Sequence, residues 1–310
     1  HLVLNQFFLN SFGFGDFDAL QKACVAVSNG NSVDQFSISE ILPDEQKSQL
    51  NLARLVNYET SVNEFLMRLR TSRRQPNLEL KYFQSLALIF AEIYFDHYFN
   101  DRSNLLQLLN RFLDQFNRGR KHAITAFSEA DLKKLAFWMA TGSGKTLIMH
   151  INYWQILNHT PDYWDNILLI TPNAGLSAQH FEEYRLSGIP CKVYDGNPDH
   201  LQTAANEVLI IDIHKLNREK TGKGVSVDIA WFEGRNLVFI DEGHKGQKSE
   251  EQRWKQLREA IAEDGMIMEY SATFGQVIGK NRFLLDEYAK SVLFDYSYKY
   301  FFNDGYGKAF

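Results

Sequence analysis

Cysteine is nearly absent from this chain of 310 residues: Cys24 and Cys191 stand far apart and at no metal-ligand spacing. That argues against a disulfide scaffold and a structural zinc and fits a reducing compartment, with the cytoplasm as the expected location. Long apolar runs are also missing. None approaches the roughly 18 residues of a membrane span, and the opening "HLVLNQFFLNSFGFGD" lacks the basic flank of a signal peptide. There is no internal repeat and no low-complexity tract. No Ser/His/Asp or Cys/His arrangement has local support, and no set of acids with a lysine surrounds a strand end as a nuclease centre requires. His150 and His180 read as surface or core histidines. Net charge is small, at −5, so any nucleic-acid binding has to come from local basic patches rather than from the overall field.

What the chain does have is apolar mass. A hydrophobic content of 45 % with 14 % aromatic is ample for a packed core and allows one large or two medium domains. Residues 1–77 form a polar-rich, helical-looking segment ending in "RLRTSRRQPN", read as an accessory region. A very apolar helical stretch comes next, "LELKYFQSLALIFAEIYFDHYF" and then "NLLQLLNRFLDQF". Beyond "NRGRKH", apolar runs alternate with helical patterns, the signature of a parallel sheet with helices on both faces. The expected strands are "LAFWM" (135–139), "NILLIT" (166–171), "EVLIID" (207–212), "NLVFID" (236–241) and "MIMEYSAT" (266–273), with "SAQHFEEYRL" and "EEQRWKQLREAIAED" among the helices between them.

In open parallel sheets ligands bind beyond the carboxyl ends of the strands, so the residues just past each strand end carry the chemistry. After "LAFWM" comes "ATGSGKT", a tight turn before a helix beginning near Thr146. Thr141, Gly142, Ser143 and Gly144 can aim backbone N–H groups and the positive end of a helix at one point, which suits nucleotide phosphates. Lys145 reaches the outer phosphates and the Thr146 hydroxyl holds Mg²⁺. The glycine that usually stands five residues before the GK pair is Met139 here. After "NLVFI" comes "DEGH", in which Asp241 can organise Mg²⁺, Glu242 can orient and deprotonate a water, and His244 can join the site to another surface. Taken alone, Asp241 and Glu242 are equally read as acids near a helix start.

Other strand ends add less. Ser271 and Thr273 in "SAT" can bond neighbouring carboxylates and relay the state of the γ-phosphate. Thr171, Pro172 and Asn173 open a helix whose exposed N–H groups can hold a nucleic-acid phosphate, or form an ordinary helix cap. Arg68, Arg70, Arg73 and Arg74 make a cluster free of acids, with Arg118, Arg120 and Lys121 as another; such runs track a phosphate backbone or are simply solvated.

The order "MATGSGKT", "TPNAG", "DEGH", "SAT" resembles motifs I, Ia, II and III of superfamily 2 helicases and translocases of the DEAD/DEAH-box kind, closest to the Res subunits of type III restriction enzymes. The late stretch "DYSYKYFFNDGYGK" is similar to that group too. The resemblance implies a RecA-like first motor domain over 78–288, a crossing toward a second such domain over 289–310, ATP and Mg²⁺ as cofactors, and DNA, more readily double-stranded DNA than RNA, as the track. It further implies a modification or specificity subunit as partner, and Gln84 in "KYFQ" as the adenine-reading glutamine. Gln84 read on its own is a polar residue on a mostly buried helix. The family's usual Thr and Gln are replaced in "IIDIHKLN" by Asp212 and His214. The aromatics Phe83, Phe90, Tyr94 and Tyr98 read as core at helical spacing. Since the chain opens on His and stops soon after "SAT", it reads as part of a longer protein, and the isolated chain is expected to turn ATP over slowly. Two other classes stay open: a P-loop kinase or nucleotidase, for which no acceptor site is visible, and an ATP-gated binding scaffold.

Overall fold

The computed structural model describes residues 2–27, 37–197, 201–217, 227–242, 260–275 and 282–307. The chain divides into two compact units: His1–Leu132 with Ile151–His159 and Ile278–Tyr296, and Lys133–His150 with Thr160–Val277 and Ser297–Phe310.

The first unit is helical. Its helices include α1 (Val3–Ser11), α2 (Phe17–Val27), α3 (Ile38–Ile41), α4 (Asp44–Gln49), α5 (Leu52–Arg73), α6 (Tyr82–Asn100) and α7 (Arg102–Phe116). On α5 the buried residues Leu55, Tyr58, Val62, Leu66 and Leu69 recur at three- and four-residue steps, one apolar stripe on an otherwise polar helix. Helix α6 is different, buried on all sides from Tyr82 to Phe95, as expected of a helix apolar all round. Its aromatics pack on the elements around it: Phe90 meets Phe8 and Phe12, and Phe83 stacks on Tyr296 at 3.9 Å between centroids. All four aromatics assigned to the core, Phe83, Phe90, Tyr94 and Tyr98, are buried. Gln84 is buried in the first turn, where its side-chain oxygen accepts the Lys81 N–H at 2.8 Å and caps the helix. The last residues of α8 (Lys145–His159) count with this unit, and there Gln155 donates to the Leu88 carbonyl at 2.9 Å while His159 meets buried Glu92 at 3.0 Å. After the sheet region the chain returns to the unit as a helix (Arg282–Ser291) and a strand (Val292–Tyr296), whose Leu293 carbonyl accepts from Asn5 at 3.0 Å.

The arginine cluster at the end of α5 has structural duties. Arg70 donates to the Leu78 carbonyl at 2.7 Å, Arg68 lies over the Trp154 ring at 4.8 Å, and Arg74 ends the helix in the left-handed region at φ 53°. Arg74 is exposed and Arg73 half-buried.

The second unit is built on parallel strands: β1 (Lys134–Met139), β2 (Asn166–Thr171), β3 (Cys191–Val193), β4 (Val208–Asp212), β5 (Leu216–Asn217), β6 (Val227–Asp228), β7 (Asn236–Asp241) and β8 (Met266–Ser271). Strands β5 and β6 pair only with each other, and the remainder lie in the order β3-β4-β2-β7-β8-β1. All five pairings along that order are parallel, and the strand interiors are mostly apolar, as sheets covered on both faces require, with buried Glu269 of β8 paired to Lys134 of β1 at 3.2 Å. This is the expected α/β class, RecA-like, with a helical N-terminal region. All five strands read from the sequence are present. Strand β3 was not foreseen, since three half-buried residues carry no period. Helix α9 (Ala174–Leu186) packs on β2, β3 and β4. The helix expected over "EEQRWKQLREAIAED" falls largely outside the described residues.

No helix among the described residues is long and apolar enough to cross a membrane.

Candidate nucleotide site

Parallel strands end at one edge of the sheet, so β1, β7 and β8 deliver the residues beyond them to the same place. The strand bearing Asp241 is not beside the strand of the phosphate loop: β8 runs between them, with Trp138 in register with Ser271 and Asp241 with Tyr270. The "SAT" stretch therefore stands midway between the loop and the acids.

The loop from Ala140 to Gly144 turns through Gly142 at φ +84° and Gly144 at φ +86°, with Ser143 between them on the ordinary side. Such alternation of hand turns consecutive N–H groups into a concave face, and only glycine takes those angles without strain. Thr141 and Gly142 are exposed, Ser143 is buried, and Lys145 and Thr146 open α8 half-buried. The Lys145 ammonium donates to the carbonyls of Met139 at 3.3 Å and Ala140 at 3.4 Å, and lies 3.6 Å from Glu242 Oε1.

Glu242 is 7 % exposed, and its neighbours fix it on three sides. The Ser271 hydroxyl donates to Oε2 at 2.9 Å, the Ala272 N–H reaches Oε1 at 3.3 Å, and its own N–H donates to the Tyr270 carbonyl at 2.9 Å. The Thr273 N–H in turn donates to the Ser271 hydroxyl at 3.0 Å. Glu242 is held at φ 53°, a left-handed conformation that costs a non-glycine residue about 1 to 3 kcal/mol when it is enforced by surroundings. Burial keeps the Tyr270 phenol far above its usual range, so the ring stacked on Phe137 at 5.1 Å is a neutral wall of the site. Asp241 is bonded to His180 of α9, Nε2 to Oδ2 at 3.0 Å.

Sequence reasoning left His180 without a partner; the structure gives it the candidate metal ligand. His150 is likewise partnered, by the Ser187 hydroxyl at 2.8 Å. A second unforeseen neighbour is Phe301 on the helix Tyr298–Asn303, whose ring edge would meet a Cβ placed on Gly142 at 3.8 Å.

The remaining expected positions lie on other elements. Thr171 is buried, with its hydroxyl on Ser177 at 2.6 Å, while Pro172 is half-buried and Asn173 exposed. The Asn173 carboxamide oxygen caps α9 by accepting the Leu176 N–H at 2.9 Å. Gln84, Arg73 and Arg74 belong to the helical unit, and His244 lies outside the described residues.

Residues 102–276, more than half of the chain, match the family described as "Type III restriction enzyme, res subunit". The chain belongs to that family. Membership of the Res-subunit family makes the matched region a helicase-type nucleic-acid motor domain. The UvsW helicase from bacteriophage T4 is similar in structure at 15 % identity and a TM-score of 0.37, over 62 % of this chain and 71 % of that one. No curated protein matches the sequence.

Proposed function

We propose that this Res-family chain is the ATP-binding part of a motor that translocates on or unwinds DNA within a type III restriction-like or defence enzyme. The supporting observation is the 3.6 Å approach of the phosphate-loop Lys145 to Glu242, which brings the motif I lysine and the motif II acid to one point across β8. On this reading the motor domain spans 78–288, residues 1–77 are its accessory region, and 289–310 lead toward a second RecA-like domain.

The residues fit ATP with Mg²⁺. Thr146, Asp241 and Glu242 offer hydroxyl and carboxylate oxygens, the hard donors Mg²⁺ takes, and the glycine angles of the loop suit a phosphate. A Mg²⁺ ion held there would supply positive charge to offset that of the outer phosphates. Thr141 to Thr146 bind the phosphates, Thr146 and Asp241 hold the metal, and Glu242 accepts the proton of the attacking water. Ser271 and Thr273 tie Glu242 to β8 and so couple the acid to the rest of the sheet. Gln84 as an adenine reader, His244 as a coupling residue and a modification subunit as partner remain parts of this proposal.

Lys145→Ala tests it. Loss of a charge-assisted contact to phosphate costs about 1.5 to 3 kcal/mol, or about 10- to 150-fold in ATP affinity by calorimetry. Equal affinities for the two proteins would remove the phosphate-loop assignment. The track has its own test, because backbone contacts make DNA binding fall steeply with salt. Changing Arg73 and Arg74 together to Ala should flatten the log–log slope by about 1 to 2. An unchanged slope removes both arginines from the proposed DNA contact.

A further inference from the structure

We infer that His180 is a positioning residue for the metal site, orienting Asp241 for Mg²⁺ from the interior of α9. The inference rests on the nucleotide reading above and assigns a role to a side chain that no motif contains.

His180 lies two turns into α9 and is 4 % exposed, so its position is set by packing. Its ring meets Tyr184 edge-on at 6.4 Å, and Tyr184 is itself fully buried. From there Nε2 reaches Asp241 Oδ2 at 3.0 Å. An ionised carboxylate only accepts, so the hydrogen sits on Nε2. Among the described residues Nδ1 has no hydrogen-bond partner, so Asp241 is the polar contact of the ring.

That geometry has a consequence for Asp241. The bond fixes the rotation of the carboxylate about its Cβ–Cγ axis, taking Oδ2 and leaving Oδ1 for a cation or one of its waters. Partners that orient a metal ligand in this way are typically worth about 10- to 100-fold in metal affinity.

The test is ADP affinity by calorimetry, with and without Mg²⁺, for the wild type, His180→Phe and His180→Gln. Phenylalanine keeps an aromatic ring against Tyr184 and removes the donor; the glutamine amide returns an N–H at the Nε2 position. The expected result is that the Phe variant binds metal-free ADP as the wild type does but loses about 10-fold of the affinity that Mg²⁺ adds, and that the Gln variant recovers most of it. Thermal melts of the three proteins identify any general loss of folding, and if the Phe variant does not fold, the Gln variant carries the decision by retaining the Mg²⁺ enhancement. Equal enhancement by Mg²⁺ in wild type and Phe variant, or a folded Gln variant that loses it, overturns the inference and leaves the nucleotide reading intact. Absence of ADP binding by the wild type under both conditions overturns both.

Discussion

Glu242→Gln is expected to leave ATP affinity within about threefold of wild type and to lower turnover by about 10² to 10⁴ in the intact protein, the usual contribution of a positioned general base. The variant is nearly isosteric and can still accept from Ser271 or Ala272, which hold the acid at 2.9 and 3.3 Å. The backbone geometry should survive, because the bond from the Glu242 N–H to the Tyr270 carbonyl on β8 does not involve the carboxylate. What disappears is the ability to take a proton from water and the negative charge 3.6 Å from Lys145. Losing that charge frees the lysine for phosphate, so binding has no reason to weaken. Steady-state ATP hydrolysis in the presence of DNA, measured beside nucleotide affinity, separates the two roles. Wild-type turnover in the variant would make Glu242 a counter-ion of Lys145 and nothing more.

Local signals were legible and long-range ones were not. Each of the five foreseen strands is an apolar run bounded by turn residues, and "GSGKT" and "DEGH" carry their chemistry at fixed short offsets. The placement of β8 between β1 and β7 was invisible, because an apolar run announces a strand without naming its neighbours. That placement lets Ser271 bond Glu242, so a stretch nearly uninformative as sequence becomes part of the acid's support. His180 escaped for the same reason: its partner stands 61 residues away, and a histidine inside a helix looks like any other. The arginines after Leu66 illustrate the reverse error of composition. A basic cluster reads as one surface, yet Arg70 bonds the Leu78 carbonyl and Arg68, though exposed, lies over the Trp154 ring. Gln84 reads from the sequence as a polar residue on a buried helix; the bond its side-chain oxygen accepts from the Lys81 N–H at the start of α6 had no signal, because lysine is not an N-cap residue type.

Gly265 was unremarkable in the sequence, and its replacement by alanine carries the largest expected loss of stability. It precedes β8, where the chain passes over the start of β7. A Cβ there would lie 1.9 Å from the carbonyl oxygen of Asn236 and 2.8 Å from its carbonyl carbon, and these are backbone atoms that cannot rotate away. Asn236 cannot yield readily either. It is 1 % exposed, its amide donates to the carbonyls of Phe232 at 2.7 Å and Ile261 at 2.5 Å, and its side-chain oxygen accepts from Asn166 at 2.8 Å. Relief therefore has to come from spreading β7 and β8 where Leu237 pairs with Met266, in the middle of the sheet that aligns Glu242 with Ser271. Overpacking of this kind costs about 3 kcal/mol, equivalent to a fall of about 6 to 12 °C in the melting temperature of the affected unit. Gly15→Ala is the control, since nothing lies within 4 Å of a Cβ at that position, and it should change stability by less than about 0.5 kcal/mol. If the two variants melt together, the close passage of Gly265 over Asn236 is wrong. If Gly265→Ala melts early and also loses nucleotide affinity, the spacing of β7 and β8 is what keeps the acid and the lysine in reach of each other.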